Sequence, residues 1–165
     1  MPGALIASVA AMTSAKTPLR VNGEHVELDV APRRTLLDAL RSDLGLTGAK
    51  KSCDMGNCGA CTVLLDGAAV YSCLVLAVDC AGRAVSTVEG LAADGKLHRL
   101  QEAFIAADAF QCGFCTAGQL MALAALFNRV PRPTDAEIMR ALSGNLCRCG
   151  AYQNIVRAAR MAREP

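Results

Sequence analysis

Residues 53–61 read CDMGNCGAC, so three cysteines and two glycines occupy nine consecutive positions. A further cysteine follows at Cys73, and the C-x4-C-x2-C spacing with one distant ligand is typical of plant-type [2Fe–2S] clusters. Glycine suits this loop because three ligands from one short segment require tight turns and a close approach to the inorganic sulfides. The stretch therefore predicts a cluster whose ligands are Cys53, Cys58, Cys61 and Cys73.

Four more cysteines form a second group in the C-terminal half. The spacing is C-x2-C and then, after a predicted helix, C-x-C; the residues are Cys112, Cys115, Cys147 and Cys149. Taken alone, two pairs of thiolates favour tetrahedral zinc. A C-x-C pair is unusual for zinc, however, and a plant-type motif lies in the same short chain. A second [2Fe–2S] cluster is therefore the competing interpretation.

We do not assign the ninth cysteine or the two histidines as metal ligands. Nine is an odd number, and a protein kept in a reducing compartment does not maintain disulfides, so metal ligation is the leading role for the cysteines. Cys80 lies in the apolar stretch LVLAVDCAG (74–82) and is expected to be a small buried hydrophobe. His25 and His98 have no cysteine or aspartate at ligand spacing, so we assign them surface or packing roles.

Composition excludes other classes of function. Hydrophobic residues make up 53% of the 165 residues and mean hydropathy is +0.30, yet no apolar run approaches the roughly 18 residues of a membrane span. The apolar excess indicates a surface that faces another protein. A net charge of +2, scattered basic residues and the absence of tryptophan give neither a basic stripe nor stacking platforms for nucleic acid.

The N-terminal segment ALIASVAAM (4–12) is apolar, but it lacks the basic region of a secretory signal peptide. The only Arg-Arg pair, at 33–34, follows the first predicted hairpin and so does not act as a twin-arginine export signal. We therefore expect a cytoplasmic protein with a flexible tail over residues 1–16, within which Met12 is an alternative start.

Turn and capping signals predict a small α+β domain over residues 17–90. The dipeptides Asn-Gly at 22–23 and Asp-Gly at 66–67 each separate two alternating segments, which predicts two β-hairpins. Thr35 is the expected N-cap of a helix that ends at Gly45.

The remainder, residues 91–165, is predicted to be a helical domain. Periodic apolar residues indicate four helices, at 97–108, 116–129, 134–142 and 152–162. The C-x2-C pair precedes the second of these helices and the C-x-C pair precedes the fourth. We expect these two helices to be neighbours, so that four ligands converge at one end of the pair.

Four stretches together resemble the small iron–sulfur subunit of the xanthine dehydrogenase, or molybdenum hydroxylase, family. They are GLTGAKKSCDMGNCGACTVLLDG (45–67), STVEGLA (86–92), FQCGFCTAGQ (110–119) and LSGNLCRCGAYQNIVRA (142–158). The resemblance spans residues 19–161. It implies an α+β fold: an N-terminal β-grasp, plant-type ferredoxin-like domain followed by an all-α four-helix domain, each with one [2Fe–2S] cluster.

The resemblance also implies partners. In the family a large subunit holds a molybdopterin cofactor and the substrate, and a medium subunit usually holds FAD, which gives a heterotrimer or a dimer of heterotrimers. The second cysteine group would then hold the cluster nearer molybdenum, and the first group the cluster nearer FAD. Gln111 and Cys149 match the family positions that approach the pterin, so the resemblance makes them the point of electron entry.

The chain is thus predicted to be the electron-transfer subunit of a molybdenum hydroxylase that oxidises an aldehyde or an N-heterocycle. Ala117 stands where the family usually has proline, which loosens the start of a helix but removes no ligand. The variant CRCGAY (147–152) resembles aldehyde-oxidising members. The alternatives are a free-standing two-cluster ferredoxin, which low charge and positive hydropathy disfavour, and a zinc-stapled interaction module, which would be colourless.

Overall fold

The computed structural model describes residues 14–163, which begin with five strands and one helix. The strands are β1 (Ala15–Val21), β2 (Glu24–Val30), β3 (Thr62–Leu65), β4 (Ala68–Tyr71) and β5 (Ala84–Ser86). They form one mixed sheet in the order β2-β1-β5-β3-β4, in which only β1 and β5 run parallel. Both predicted hairpins are confirmed, and the residues at 22–23 and 66–67 have the positive φ angles that tight hairpin turns require.

A short helix, α1, packs against this sheet. It is α-helical over Leu36–Asp38 and continues as a π-helical turn over Ala39–Asp43. The Thr35 hydroxyl accepts a hydrogen bond from the Asp38 backbone N–H at 3.1 Å, which confirms the predicted N-cap. Leu36, Leu37 and Leu40 are fully buried and join the inward side chains of the strands in one hydrophobic core. This helix-on-sheet arrangement is the predicted β-grasp unit.

The four predicted C-terminal helices are present. They are α2 (Arg99–Ala106), α3 (Thr116–Arg129), α4 (Asp135–Leu142) and α5 (Tyr152–Arg163), and they enclose a second core. Helices α2 and α4 each pack against both α3 and α5, so α3 and α5 lie diagonally across the bundle. The expectation that α3 and α5 are packed neighbours is therefore wrong. Short connections place each helix beside the next one along the chain, which sets alternate helices diagonally opposite.

Side-chain caps define where two of these helices begin. Thr134 and Glu137 form the predicted capping box at the start of α4. His98 caps α2, because its Nδ1 accepts a hydrogen bond from the Leu100 backbone N–H at 3.2 Å. Cys80 is fully buried in the first core, as expected for a small hydrophobe.

The sheet begins earlier than predicted. Residues 1–13, which include ALIASVAAM and Met12, lie outside the described residues. The sequence assigns Ala15 and Lys16 to the tail, but in the structure they belong to β1, where they pair with Val30 and Asp29. The domain boundary between residues 90 and 91 stays a prediction. Over residues 14–163, no helix combines the length and the apolar character needed to cross a membrane.

Candidate metal centres

The first group of cysteines surrounds the start of β3. Cys53 and Cys58 lie in the loop before this strand, Cys61 directly precedes it, and Cys73 lies in a 3-10 turn after β4. The Sγ atoms of Cys61 and Cys73 are 3.4 Å apart. Cys53 and Cys58 are also within hydrogen-bonding range of each other. The four thiols therefore form two close pairs.

The loop that carries this group depends on its glycines. Gly56 and Gly59 have φ angles of +74° and +69°, a left-handed conformation that other residues rarely adopt. A Cβ atom on Gly59 would also lie 2.4 Å from the backbone oxygen of Gly144. The tight turn predicted from the sequence is confirmed. The close approach that the structure shows is between Gly59 and the backbone of the helical domain at Gly144. The Asn57 backbone N–H points at Cys53 Sγ, 3.4 Å away.

The second group is built from the residues before two helices. Cys112 and Cys115 precede α3, and Cys147 and Cys149 precede α5. The Sγ atoms of Cys112 and Cys149 are 3.5 Å apart, and Cys115 and Cys147 form the second pair. The Ala151 backbone N–H donates to Cys147 Sγ at 3.4 Å. Although α3 and α5 are diagonal in the bundle, the segments before them meet.

Both groups fit a binuclear cluster better than a single ion. A [2Fe–2S] cluster has two irons with two thiolates each, so it requires two pairs of thiols, whereas zinc requires four thiolates around one point. A cavity of about 340 Å³, lined by Cys58 together with Cys112, Cys115 and Cys147, gives space beside the second group.

Each group contains thiols whose pKa values are shifted in opposite directions. Hydrogen bonds from the backbone N–H groups of Met55 and Asn57 lower the pKa of Cys53 to about 7, and burial raises the pKa of Cys61 to about 12. In the second group burial likewise raises the pKa of Cys115 to about 12. Because thiolates are the iron ligands, cluster binding has to displace protons from the thiols of high pKa, Cys61 and Cys115.

A short segment before Cys147 connects the two groups. The Leu146 backbone N–H donates to the backbone oxygen of Cys58 at 2.9 Å. Asn145 Nδ2 donates to the backbone oxygen of Gly59 at 2.9 Å, and the Tyr71 hydroxyl donates to the backbone oxygen of Gly144, also at 2.9 Å. Three consecutive residues of the helical domain are therefore hydrogen-bonded to the first cysteine loop and its hairpin.

Helix α3 adds two residues to this junction. A Cβ atom on Gly118 would lie 2.3 Å from the backbone oxygen of Gly59, so the helix and the first loop touch backbone to backbone. Gln119 is fully buried and its Nε2 donates to the backbone oxygen of Asn145 at 3.1 Å. Sequence reasoning missed Gly118, Gln119 and Asn145. The available signal was a glycine followed by a glutamine at the start of an otherwise apolar helix, which indicates a close contact and a polar role at that point.

The two residues matched to pterin-proximal positions are adjacent. Gln111 is exposed, and its Nε2 donates to the backbone oxygen of Cys149 at 3.3 Å. The exposed Cys112, whose thiol pairs with that of Cys149, follows Gln111 directly. One edge of the second group therefore reaches the protein surface at Gln111.

Two protein-family models match the chain, one on each domain. A "2Fe-2S iron-sulfur cluster binding domain" matches residues 19–85, and a "[2Fe-2S] binding domain" matches residues 87–160. Each match includes one complete cysteine group.

Individual proteins are similar over most of the chain. The nicotine 6-hydroxylase small subunit of Paenarthrobacter nicotinovorans is 55% identical over 140 residues, covering 85% of this chain and 84% of that protein. The aldehyde oxidoreductase iron-sulfur-binding subunit PaoA of Escherichia coli K12 is 45% identical, covering 93% of this chain and 76% of that one. A chain of quinoline 2-oxidoreductase from Pseudomonas putida 86 superimposes with a TM-score of 0.88 at 43% identity, covering 92% and 95%.

Proposed function

Because the chain belongs to the family of [2Fe–2S] iron–sulfur subunits of the molybdenum hydroxylases, we propose that it carries electrons from a molybdopterin site on a large subunit, through two [2Fe–2S] clusters, to FAD on a medium subunit. The substrate that we propose for the complex is an N-heterocycle or an aldehyde. Similar proteins are named for both: nicotine, nicotinate and quinoline on one side, aldehydes on the other.

One hydrogen bond supports electron transfer between the two clusters. The hydrogen bond from Leu146 N–H to the Cys58 oxygen connects a residue next to one proposed ligand, Cys147, with a ligand of the other group. The two groups are thus separated by one peptide unit and one hydrogen bond. The hydrogen-bonded junction sets the distance between the two clusters, and that distance controls the rate of electron transfer between them.

We propose the following ligands and order. Cys112, Cys115, Cys147 and Cys149 hold the cluster that receives electrons, and Cys53, Cys58, Cys61 and Cys73 hold the cluster that passes them on. When bound, each cluster takes up and releases one electron. Gln111 and Cys149 lie at the entry side, facing a pterin on the partner; Gln111 is exposed, and its Nε2 donates to the Cys149 oxygen.

Exposed apolar side chains favour a subunit over a free-standing ferredoxin. Met55, Leu74, Phe114 and Leu146 are each between 45% and 64% exposed, and every one of them lies within two residues of a proposed ligand. A free carrier would expose these side chains to water at both clusters, whereas partner subunits would cover them. The medium FAD subunit, the heterotrimer and the cytoplasmic location are part of this proposal.

The test is anaerobic purification of the affinity-tagged chain from its native cell, with iron, molybdenum and flavin measured in the eluate. Two clusters beside one molybdenum centre predict about four irons per molybdenum. Iron without molybdenum and without a large partner would instead support a free carrier. Candidate N-heterocycles and aldehydes are then supplied to the purified complex while bleaching of the visible cluster absorption is followed.

A further inference from the structure

Gln119 has an environment that packing alone does not explain. Its side chain is fully buried in α3, one helical turn after Cys115. The Nε2 atom donates to the backbone oxygen of Asn145 at 3.1 Å. Burial raises the pKa of the Cys115 thiol, and the Gln119 side chain acts against this by lowering that pKa. Among residues 14–163, Gln119 Oε1 is the one buried side-chain nitrogen or oxygen atom without a partner.

The unpaired oxygen indicates that the NH2 group, and not the oxygen, holds the Gln119 side chain in place. A buried acceptor without a donor is costly, so the orientation must be enforced by the NH2 group at the other end. Rotating the amide by half a turn would set its oxygen against the Asn145 carbonyl, which repels it. An NH2 group has two hydrogens; one donates to the Asn145 carbonyl, and the second is available to the sulfur of Cys115, one helical turn earlier.

We propose that Gln119 is a positioning residue for the second cluster, whose single NH2 group ties the Cys115 sulfur to the Asn145 carbonyl. The inference rests on the proposed function, because it requires a cluster at Cys115. Asn145 in turn donates to the backbone oxygen of Gly59, so one chain of hydrogen bonds runs from Cys115 to the loop of the first cluster.

This contact has an electrochemical consequence. An N–H group directed at a cluster sulfur stabilises the extra negative charge of the reduced cluster, and therefore raises its reduction potential. Gln119 would raise the potential of the second cluster and leave that of the first unchanged, because its side chain donates to the Asn145 oxygen and to no ligand of the first group.

The experiment is a redox titration of the purified complex, followed by electron paramagnetic resonance. Gln119→Met keeps the length of the side chain but removes the donor. At a fixed ambient potential we expect the ratio of reduced to oxidised second cluster to fall about tenfold, which corresponds to about 59 mV for a one-electron couple. Gln119→Glu should lower the ratio further, because a carboxylate repels the reduced cluster. The signal of the second cluster is identified as the one that Cys115→Ser removes.

Leu123→Met is the matched control, because it changes another fully buried side chain one turn further along α3 that has no N–H donor to lose. It should leave both potentials unchanged. An unaltered second-cluster potential in Gln119→Met, with both clusters present, overturns the inference. If Gln119→Met loses only the second cluster, the positioning role is supported. If both Gln119 variants lose the two clusters equally, it is contradicted. A wild-type complex without iron would contradict the proposed function instead.

Discussion

Replacing Gly118 by alanine tests the contact between α3 and the first cysteine loop. The added Cβ would lie 2.3 Å from the backbone oxygen of Gly59, whereas ordinary contact begins at 3.4 Å. It would also lie 3.1 Å from Asn145 Nδ2, the group that donates to that same oxygen. A backbone oxygen has no rotamer by which to move away. The helix and the loop must therefore separate by about 1 Å.

The expected loss of stability follows from three contributions. Overpacking costs roughly 1–3 kcal/mol, and a weakened hydrogen bond from Asn145 to Gly59 costs about 1 kcal/mol more. The higher helix propensity of alanine offsets about 1 kcal/mol of this. A net loss of about 2 kcal/mol lowers the melting temperature by roughly 4–8 °C when the 165-residue chain unfolds as one unit. Because the junction opens, the magnetic coupling between the two reduced clusters should weaken as well.

Gly82→Ala is the control for Gly118→Ala. Gly82 has a φ of +75° with nothing within 4 Å of its absent Cβ, so this substitution introduces backbone strain of about 1–2 kcal/mol without a clash. Both variants should melt earlier in a calorimetric scan, but only Gly118→Ala should alter the coupling seen by electron paramagnetic resonance. Wild-type stability and wild-type coupling in Gly118→Ala would refute the reasoning.

Two further predictions concern the metal content and the pH dependence. Cys73→Ser and Cys115→Ser should each remove one cluster and leave the other, so iron falls from about four to about two atoms per chain in a colorimetric assay; an unchanged iron content would contradict the ligand assignment. Burial raises the pKa of Glu89, but hydrogen bonds from the Thr87 hydroxyl and the Gly48 backbone N–H outweigh burial, so its pKa lies below the ordinary 4.5. Its stabilising contribution is therefore present above about pH 4.5 and is lost as the pH falls through the depressed pKa. Glu89→Gln should lower the melting temperature at pH 7, and the difference should shrink as the pH falls below about 4.5; a difference that stays constant in acid would contradict this role.

Local signals in the sequence were sufficient for most of the fold. The hairpin turns at 22–23 and 66–67 and the caps Thr35 and Thr134 depend on neighbours within a few residues, and each is confirmed. The two [2Fe–2S]-binding domains are likewise confirmed by the two family models. The second cysteine group, taken alone, favours zinc, but the "[2Fe-2S] binding domain" model that matches residues 87–160 favours an iron–sulfur cluster there.

Long-range packing was not predictable in the same way. The diagonal placement of α3 and α5 depends on how the bundle closes, which no local pattern encodes. Asn145 and Gln119 make hydrogen bonds to residues far away in the chain. In the sequence each is only an amide residue that follows a glycine, and this local pattern does not reveal its partner. The start of β1 at Ala15 was missed because its pairing with β2 extends further than its apolar alternation.

The most direct test of the account is a metal and redox analysis of the purified protein. Iron, acid-labile sulfide and zinc are measured first, and the sample is then reduced stepwise under electron paramagnetic resonance. Two [2Fe–2S] clusters predict about four irons and four sulfides per chain, with two distinct signals of about one spin each. Zinc in place of iron, or a single signal from a fully loaded protein, would contradict the account.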